Sequence, residues 1–186
     1  PFPLDYMNLT NLETLYMSNI GLTGIIPPEI SYLTQLKFLS LNHNSLIGTI
    51  PAELYTLALL EYLDLGFNDL EGEIHSNISN LTYLNQLQLP GNNFTGTILE
   101  KITNLASMEH LYIPSNQFTG SFPSDFGNLI NLEYFWGSEN NFTGAIPPSF
   151  GNLSKLYELN ISNNNLSGSI PIELSQLTAM RRFMIR

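Results

Sequence analysis

Residues suited to acid–base or nucleophilic chemistry are few in this 186-residue chain, and they form no recognisable catalytic set. The three histidines are His43, His75 and His110, and none has a serine and a carboxylate at the spacing of a catalytic triad. The chain has no cysteine, which excludes thiolate nucleophiles, thiolate metal sites and disulfides. We therefore predict no catalytic residue, no metal site and no cofactor, and a protein that is not an enzyme.

The net charge limits the classes of partner that this chain can bind. The net charge is −10, from 16 acidic and 6 basic residues, which disfavours nucleic acid and anionic lipid as partners. No stretch approaches the roughly 20 consecutive apolar residues of a membrane span, so we expect no membrane contact within this chain. Five carboxylates in the middle of the chain favour a cationic or polar partner. They are Glu61, Asp64, Glu109, Glu133 and Glu139.

The elements that must position these residues repeat with a period of 24, without an insertion or deletion. Each unit follows the pattern L-x-x-L-x-x-L-x-L-x-x-N-x-(L/F)-(S/T)-G-x-I-P-x-x-(I/L/F)-x-x. In the L-x-L segment the side chains alternate, so the leucines point into a core and the residue between them points out. A 24-residue coil cannot bury its apolar face alone, and the units must therefore stack. They begin at Leu9, Leu33, Leu57, Leu81, Leu105, Leu129, Leu153 and Leu177.

This pattern resembles the leucine-rich repeat in its 24-residue plant-type form, and the resemblance covers the whole chain. It implies an α/β repeat solenoid, a right-handed superhelix with a parallel β-sheet on the concave side and short 3-10 or turn segments on the convex side. Residues 1–186 then form a single leucine-rich-repeat solenoid, in which 1–8 are the tail of a preceding repeat and 177–186 a truncated eighth repeat. Because both ends fall inside a repeat, we expect a fragment of a longer ectodomain.

One asparagine per unit lies where the strand ends, and its amide can bond backbone groups in the turn and in the adjacent coil. The members of this predicted ladder are Asn44, Asn68, Asn92, Asn116, Asn140 and Asn164. The proline after the glycine fixes the following turn, and His75 and Leu99 replace it in the third and fourth repeats. We expect local irregularity at those two positions.

The outward positions of the strands predict the composition of the concave face. A strand spacing of about 4.8 Å places four aromatic rings of the fifth and sixth repeats on neighbouring strands. Grouped exposed aromatics are typical of interfaces, although a parallel sheet can also simply tolerate bulky side chains in such a column. The predicted ligand-binding residues are Phe38, Tyr62, Asp64, His110, Tyr112, Tyr134 and Trp136.

Eight N-x-(S/T) sequons indicate a secretory-pathway glycoprotein. The candidate glycosylation sites are Asn8, Asn77, Asn80, Asn93, Asn141, Asn152, Asn160 and Asn165. Six of them fall at two repeat positions where the pattern itself supplies asparagine and a hydroxyl residue, which weakens the argument. Asn160 differs because it lies on the predicted concave face, where a glycan would close the seventh repeat to ligands.

The resemblance implies a non-catalytic recognition module, similar to the ectodomains of plant-type receptor-like proteins and receptor kinases. Its expected location is extracellular or at the cell surface, and its expected partner is a peptide or protein, with a co-receptor or other subunit as a further candidate. Two alternatives stay open: a secreted inhibitor of cell-wall-degrading hydrolases, and a structural scaffold in a matrix or larger complex.

The (S/T)-G positions raise one more alternative, a ladder of hydroxyls on the lateral face. Such an array could organise water and bind ice or a crystalline polysaccharide. Glu71 and Glu73 interrupt it, and the repeat pattern already contains these hydroxyl residues. The members are Thr95, Thr97, Thr119, Ser121, Ser167 and Ser169.

Overall fold

The computed structural model of the chain describes residues 2–186 and contains one long parallel sheet of eight short strands, one from each repeat. The strands are Thr14–Tyr16, Phe38–Ser40, Tyr62–Asp64, Gln86–Gln88, His110–Tyr112, Tyr134–Trp136, Glu158–Asn160 and Arg182–Met184. Their order in the sheet follows the sequence, and partners lie one period apart, as Leu39 opposite Leu63. The predicted α/β repeat solenoid is confirmed. We call the outward side of this sheet the strand face.

Seven further strands form two short parallel sheets on the lateral side. The first sheet contains Thr23–Gly24, Ser45–Gly48, Asp69–Glu73 and Asn93–Thr95, and the second contains Thr119–Ser121, Asn141–Gly144 and Asn165–Leu166. Partners here are 22 residues apart, for example Thr119 opposite Asn141. Residues at the same repeat position are therefore offset by two residues from coil to coil on this side.

The convex side consists of short helical turns. The 3-10 turns are Leu4–Asn8, Pro28–Tyr32, Ala52–Thr56, Ser76–Asn80, Phe126–Asn128, Pro148–Asn152 and Ile172–Gln176, and Leu99–Ile102 forms one α-helical turn. The predicted irregularity is confirmed at Leu99, where the preceding Ile98 has helical dihedral angles (φ −81°, ψ −37°). The gap between the two lateral sheets follows this repeat.

The predicted irregularity at His75 is wrong. His75 adopts the extended backbone of the prolines that it replaces (φ −68°, ψ 147°), and a regular 3-10 turn follows. Its Nδ1 accepts a hydrogen bond of 3.1 Å from the backbone N–H of Asn77. The side chain thus stabilises the start of the turn, so the ring constraint of proline is not required there.

The core is a continuous spine of buried leucines, with phenylalanines added in the later repeats. Phe126 and Phe150 stack with ring centroids 4.9 Å apart, and Phe122 meets both edge-on. These rings fill the space between the long sheet and the convex turns. The strand face consequently rests on a tightly packed layer, which fixes the positions of its outward side chains.

The asparagine ladder connects each coil to the one before it. Asn92 donates from Nδ2 to the carbonyls of Leu65 (3.0 Å), Leu89 (3.3 Å) and Pro90 (3.3 Å). Its Oδ1 accepts a bond of 3.0 Å from the N–H of Leu70. The same pattern recurs at each ladder position, with the four central members buried and the first and last half-buried. These bonds satisfy backbone groups that the solenoid would otherwise bury without partners.

Replacing a central ladder residue should destabilise the whole array. We expect Asn92→Ala to lower the free energy of unfolding by about 2–4 kcal/mol, because the buried Leu70 N–H loses its partner and the Leu65 carbonyl keeps only the bond from Asn68 Nδ2. The exposed neighbour Asn93 gives the matched control, and Asn93→Ala should change stability by less than about 0.5 kcal/mol. Urea unfolding followed by circular dichroism measures both, and equal stability of the two variants would contradict the ladder's role.

Candidate functional site

Four rings of the fifth and sixth repeats form one patch on the strand face, which we call the aromatic cluster: His110, Tyr112, Tyr134 and Trp136. Tyr134 pairs with His110 and Trp136 with Tyr112 in the parallel register. The ring centroids are 4.9 Å apart in both pairs, with edge-to-face geometry. Tyr112 and Tyr134 close the diagonal at 6.5 Å. The structure thus brings together the four rings that the strand positions place on neighbouring strands.

The cluster is supported on one side and open on the other. Trp136 is 37% exposed, and the other three side chains are half-buried. Burial raises the pKa of the Tyr112 phenol, and the nearby Tyr134 and Glu158 raise it further. The Tyr112 hydroxyl therefore stays protonated and can donate a hydrogen bond to a partner. Edge-to-face contacts hold the rings in place before any partner arrives.

The predicted residues of the second and third repeats form a separate group. Tyr62 meets Tyr16 edge-on with centroids 6.3 Å apart, and Phe38 lies half-buried between Thr14 and Tyr62 in the sheet register. The strand Gln86–Gln88 separates this group from the aromatic cluster. Two strand spacings correspond to about 10 Å, so an extended peptide could contact both groups.

Asp64 is not exposed to solvent, although its outward position on the strand predicts that it would be. It is only 3% exposed, and its carboxylate accepts hydrogen bonds from Asn42 Nδ2, the Tyr62 hydroxyl (3.2 Å) and the Gly66 N–H (3.0 Å). Neighbouring side chains close over this short residue, so the expectation of an accessible carboxylate is corrected. In the structure Asp64 orders Tyr62 and the chain that follows the strand.

Glu158 is a second buried carboxylate that our reading of the sequence missed. It lies beside Tyr134 in the sheet, is 3% exposed, and accepts a bond of 2.9 Å from Arg182 Nη1. The available signal was the arginine one period later at the same strand position. This ion pair borders the aromatic cluster on the side of the seventh repeat, and the arginine balances the charge of Glu158.

Three other predicted acidic residues lie at the two edges of the strand face, before and after the strands that carry the aromatic cluster. The N–H of Glu133 bonds the carbonyl of Glu109 at 2.8 Å, so these two residues lie on adjacent coils next to the aromatic cluster. Glu109 is exposed and Glu133 half-buried. At the opposite edge, Glu139 accepts a bond of 2.8 Å from the Ser115 hydroxyl. The aromatic cluster is thus bordered by negative charge on both edges.

The sequon asparagines lie on three different surfaces. Seven are exposed, and Asn160 is half-buried on the strand face. Asn160 Oδ1 accepts bonds from the N–H (3.2 Å) and hydroxyl (2.6 Å) of Ser162, and its backbone pairs with Trp136.

Over residues 2–186 there is no group of three histidine, cysteine or acidic side chains that could hold a metal ion.

Sequence profiles of the leucine-rich repeat match most of this chain. A two-copy profile matches residues 10–56, and a single-repeat profile matches residues 59–81, 107–129 and 155–177. The chain belongs to the leucine-rich repeat family. No curated protein sequence matches it significantly. In the part of the chain that the structure describes, no helix has the length and apolar character needed to cross a membrane.

Solved structures of plant receptors are similar to this leucine-rich repeat chain. The plant peptide hormone receptor RGFR1, solved with RGF2, is 36% identical over the whole chain with a TM-score of 0.95. The ectodomain of the receptor kinase GASSHO1/SCHENGEN3 from Arabidopsis thaliana, solved with Casparian strip integrity factor 2, is 37% identical over 99% of the chain with a TM-score of 0.94. The chain spans only 30% and 22% of these two proteins.

A plant ice-binding protein has the same fold at lower similarity. It is 26% identical, with a TM-score of 0.66, and the match covers 99% of this chain and 76% of that protein. The same repeat scaffold therefore supports different surfaces, and function must be argued from the site.

The half-buried Tyr62, hydrogen-bonded to the buried Asp64, should make stability fall at high pH. Burial raises the pKa of Tyr62 above its ordinary value, and the Asp64 carboxylate raises it further. A raised pKa in the folded state means that the neutral phenol stabilises the fold below about pH 10 and that this contribution is lost as the pH rises through the folded value.

We expect the free energy of unfolding of Tyr62→Phe to depend less steeply on pH above about pH 10 than that of the wild type. Tyr83→Phe, at an exposed tyrosine, controls for the loss of a phenol. Ultraviolet titration of the phenolate should also show Asp64→Asn lowering the Tyr62 pKa. An identical titration of wild type and Asp64→Asn would contradict the coupling.

Proposed function

We propose that this chain is a non-catalytic recognition module of an extracellular or cell-surface protein that binds a peptide or protein on its strand face. The observation that carries the proposal is the aromatic cluster, in which Trp136, the single tryptophan of the chain, remains exposed. Aromatic side chains that are pre-positioned and partly exposed are the usual anchors of protein interfaces. The two plant receptors described above, the peptide hormone receptor RGFR1 with RGF2 and the GASSHO1/SCHENGEN3 ectodomain with Casparian strip integrity factor 2, support the same proposal.

Binding is favoured over catalysis by the state of the carboxylates. Asp64 and Glu158 are buried and hydrogen-bonded inside the structure, so their carboxylates have little contact with solvent. Glu109 is exposed to water at an open edge of the sheet, outside the enclosed pocket in which a catalytic carboxylate usually lies. The chemistry that these residues favour is charge complementarity, so a partner with basic side chains fits this surface best.

Two other kinds of protein remain as alternatives within this proposal. A secreted inhibitor of cell-wall-degrading hydrolases would use the same face against an enzyme surface, and a scaffold would use its stacked ends. The inhibitor would show inhibition of a purified hydrolase that Trp136→Ala removes. A scaffold would bind its partner equally well with the Trp136 side chain removed.

The structure supports binding of ice or polysaccharide on the lateral face less well than it supports binding of a peptide or protein on the strand face. Because partners there are 22 residues apart, Thr143 lies opposite Asn165 and not opposite Ser167. Hydroxyls at the same repeat position therefore form a skewed array in place of the straight ladder that the sequence predicts. The exposed sequon residues Asn93 and Asn141 also lie on this face, where glycans would cover it.

Truncating rings of the aromatic cluster should weaken recognition without unfolding the protein. A library of phage-displayed random linear peptides is selected on the wild type, and the affinity of the selected peptides is then measured by isothermal titration calorimetry. We expect Tyr112→Ala and Trp136→Ala each to weaken binding by about tenfold or more, because interface aromatics carry much of the binding energy. Their free energy of unfolding should fall by less than about 2 kcal/mol.

Tyr83→Ala is the matched control, since Tyr83 is an exposed aromatic that lies outside the strands of the long sheet. Its affinity for the same peptides should equal that of the wild type. Selected peptides that bind Trp136→Ala as tightly as the wild type would contradict the assignment of the site.

Glycan occupancy provides a separate test of the proposed location. After expression in a plant secretory system, we expect glycans on the exposed sequon asparagines and none on the half-buried Asn160. A glycan on Asn160 would stand against Trp136 and cover the aromatic cluster. Peptide mapping by mass spectrometry before and after glycosidase treatment measures this, and full occupancy of Asn160 would argue against the strand face as the binding surface.

A further inference from the structure

A groove of about 400 Å³ lies beside the aromatic cluster and crosses the third to sixth repeats. It is lined by Phe67, Gln88, Pro90, Tyr112, Pro114 and Trp136. This lining contains three aromatic rings and two proline rings, but no carboxylate and no basic side chain. The segment of a partner that enters the groove must therefore be uncharged and largely apolar.

Glycine residues position one wall of the groove. Phe67 has a left-handed backbone (φ 54°), and its ring stacks on His43 with centroids 4.4 Å apart. The ring also lies directly over Gly91, where a Cβ atom would come within 2.9 Å of Phe67 Cδ1. At Gly66 a Cβ atom would come within 2.7 Å of the Pro90 ring. Larger residues at either glycine would displace a side chain that lines the groove.

The opposite wall is the ring pair of Tyr112 and Trp136. Their planes meet at 64°, so together they form a corner and not a flat plate. The Trp136 indole N–H can only donate hydrogen bonds, and the Tyr112 hydroxyl and the Gln88 amide can also donate. The groove thus combines apolar ring faces with a small number of donors for the carbonyl groups of a bound chain.

We propose that this groove binds a proline-containing peptide segment in the polyproline II conformation, an inference that rests on the proposed function. Polyproline II has no internal hydrogen bonds, so its carbonyls are free to accept from groups such as Trp136 and Tyr112. Its proline rings pack against aromatic rings, and its restricted backbone loses little entropy on binding. An oligosaccharide fits less well, because the lining offers only three hydrogen-bonding side chains for many sugar hydroxyls.

The charges around the groove define the flanks of this segment. Glu109 and Glu133 lie at the strand-entry edge of the aromatic cluster, and Glu139 lies at the opposite edge. The chain as a whole carries a net charge of −10. Basic residues beside the prolines would therefore increase the rate of association and orient the peptide. The preferred ligand is an uncharged proline segment flanked by lysine or arginine.

The random-peptide selection described above tests the groove when it is combined with a proline scan. We expect the selected peptides to contain closely spaced prolines next to basic residues. Changing those prolines to alanine in the synthetic peptides should weaken binding by about tenfold, measured by the fluorescence of Trp136 and by calorimetry. Phe67→Ala should weaken binding to a similar extent, because the Phe67 ring forms one wall of the groove. Since Phe67 does not belong to the aromatic cluster, this variant tests the groove separately.

The outcomes separate this inference from the proposed function. Peptides that depend on Trp136 but show no proline preference and bind Phe67→Ala normally would overturn the groove proposal and leave the recognition function standing. Failure to select any peptide that depends on Trp136 would overturn both. Tyr83→Ala again serves as the control, and urea unfolding of Phe67→Ala verifies that the variant is folded.

Discussion

The stacking of one coil on the next through the asparagine ladder is the constraint on which the rest of this structure depends. Each central ladder amide, such as that of Asn92, bonds the backbone of its own turn and of the preceding coil. These bonds satisfy the polar backbone groups that an array of 24-residue coils has to bury. The leucine spine supplies the apolar burial, but the ladder fixes how each coil is rotated and positioned on its neighbour.

Because the stacking is fixed, the strand face is a regular surface. Each repeat contributes to it a few outward side chains that the core, the ladder and the turn do not require. A ring in one repeat meets a ring in the next at a spacing set by the sheet, which is why Tyr112 and Trp136 contact each other directly. The same closeness allows side chains to cover short neighbours, and Asp64 is buried for this reason. A single geometric rule thus produces both a partly exposed aromatic cluster and buried, hydrogen-bonded carboxylates on the same face.

Recognition follows from this division of roles between core and surface. Most residues of each repeat are committed to the spine, the ladder and the turn, which accounts for the low content of charged residues, 12% of the chain. The remaining outward positions carry the aromatic rings and part of the acidic surplus. The plant receptors of similar structure share this scaffold, and in the proposed function the outward side chains of this chain, such as Trp136, provide its specificity.

The sequence by itself determined the repeat, the ladder and the rings that lie side by side, because a period of 24 without insertions assigns every residue to a face of the coil. It could not determine which outward side chains stay exposed, since that depends on the sizes and conformations of neighbours one coil away. One such result is the burial of Glu158, whose carboxylate accepts a hydrogen bond from Arg182 in the next repeat.

Only the tertiary structure decided the geometry between coils on the lateral side and beside the strand face. The offset of two residues in the lateral sheets depends on how successive coils stack, and the repeat pattern does not record it. The position of the Phe67 ring over Gly91 depends on a left-handed backbone and on a neighbour 24 residues away. Periodicity fixes which residues share a face, whereas contacts between particular side chains fix whether that face is flat, covered or grooved.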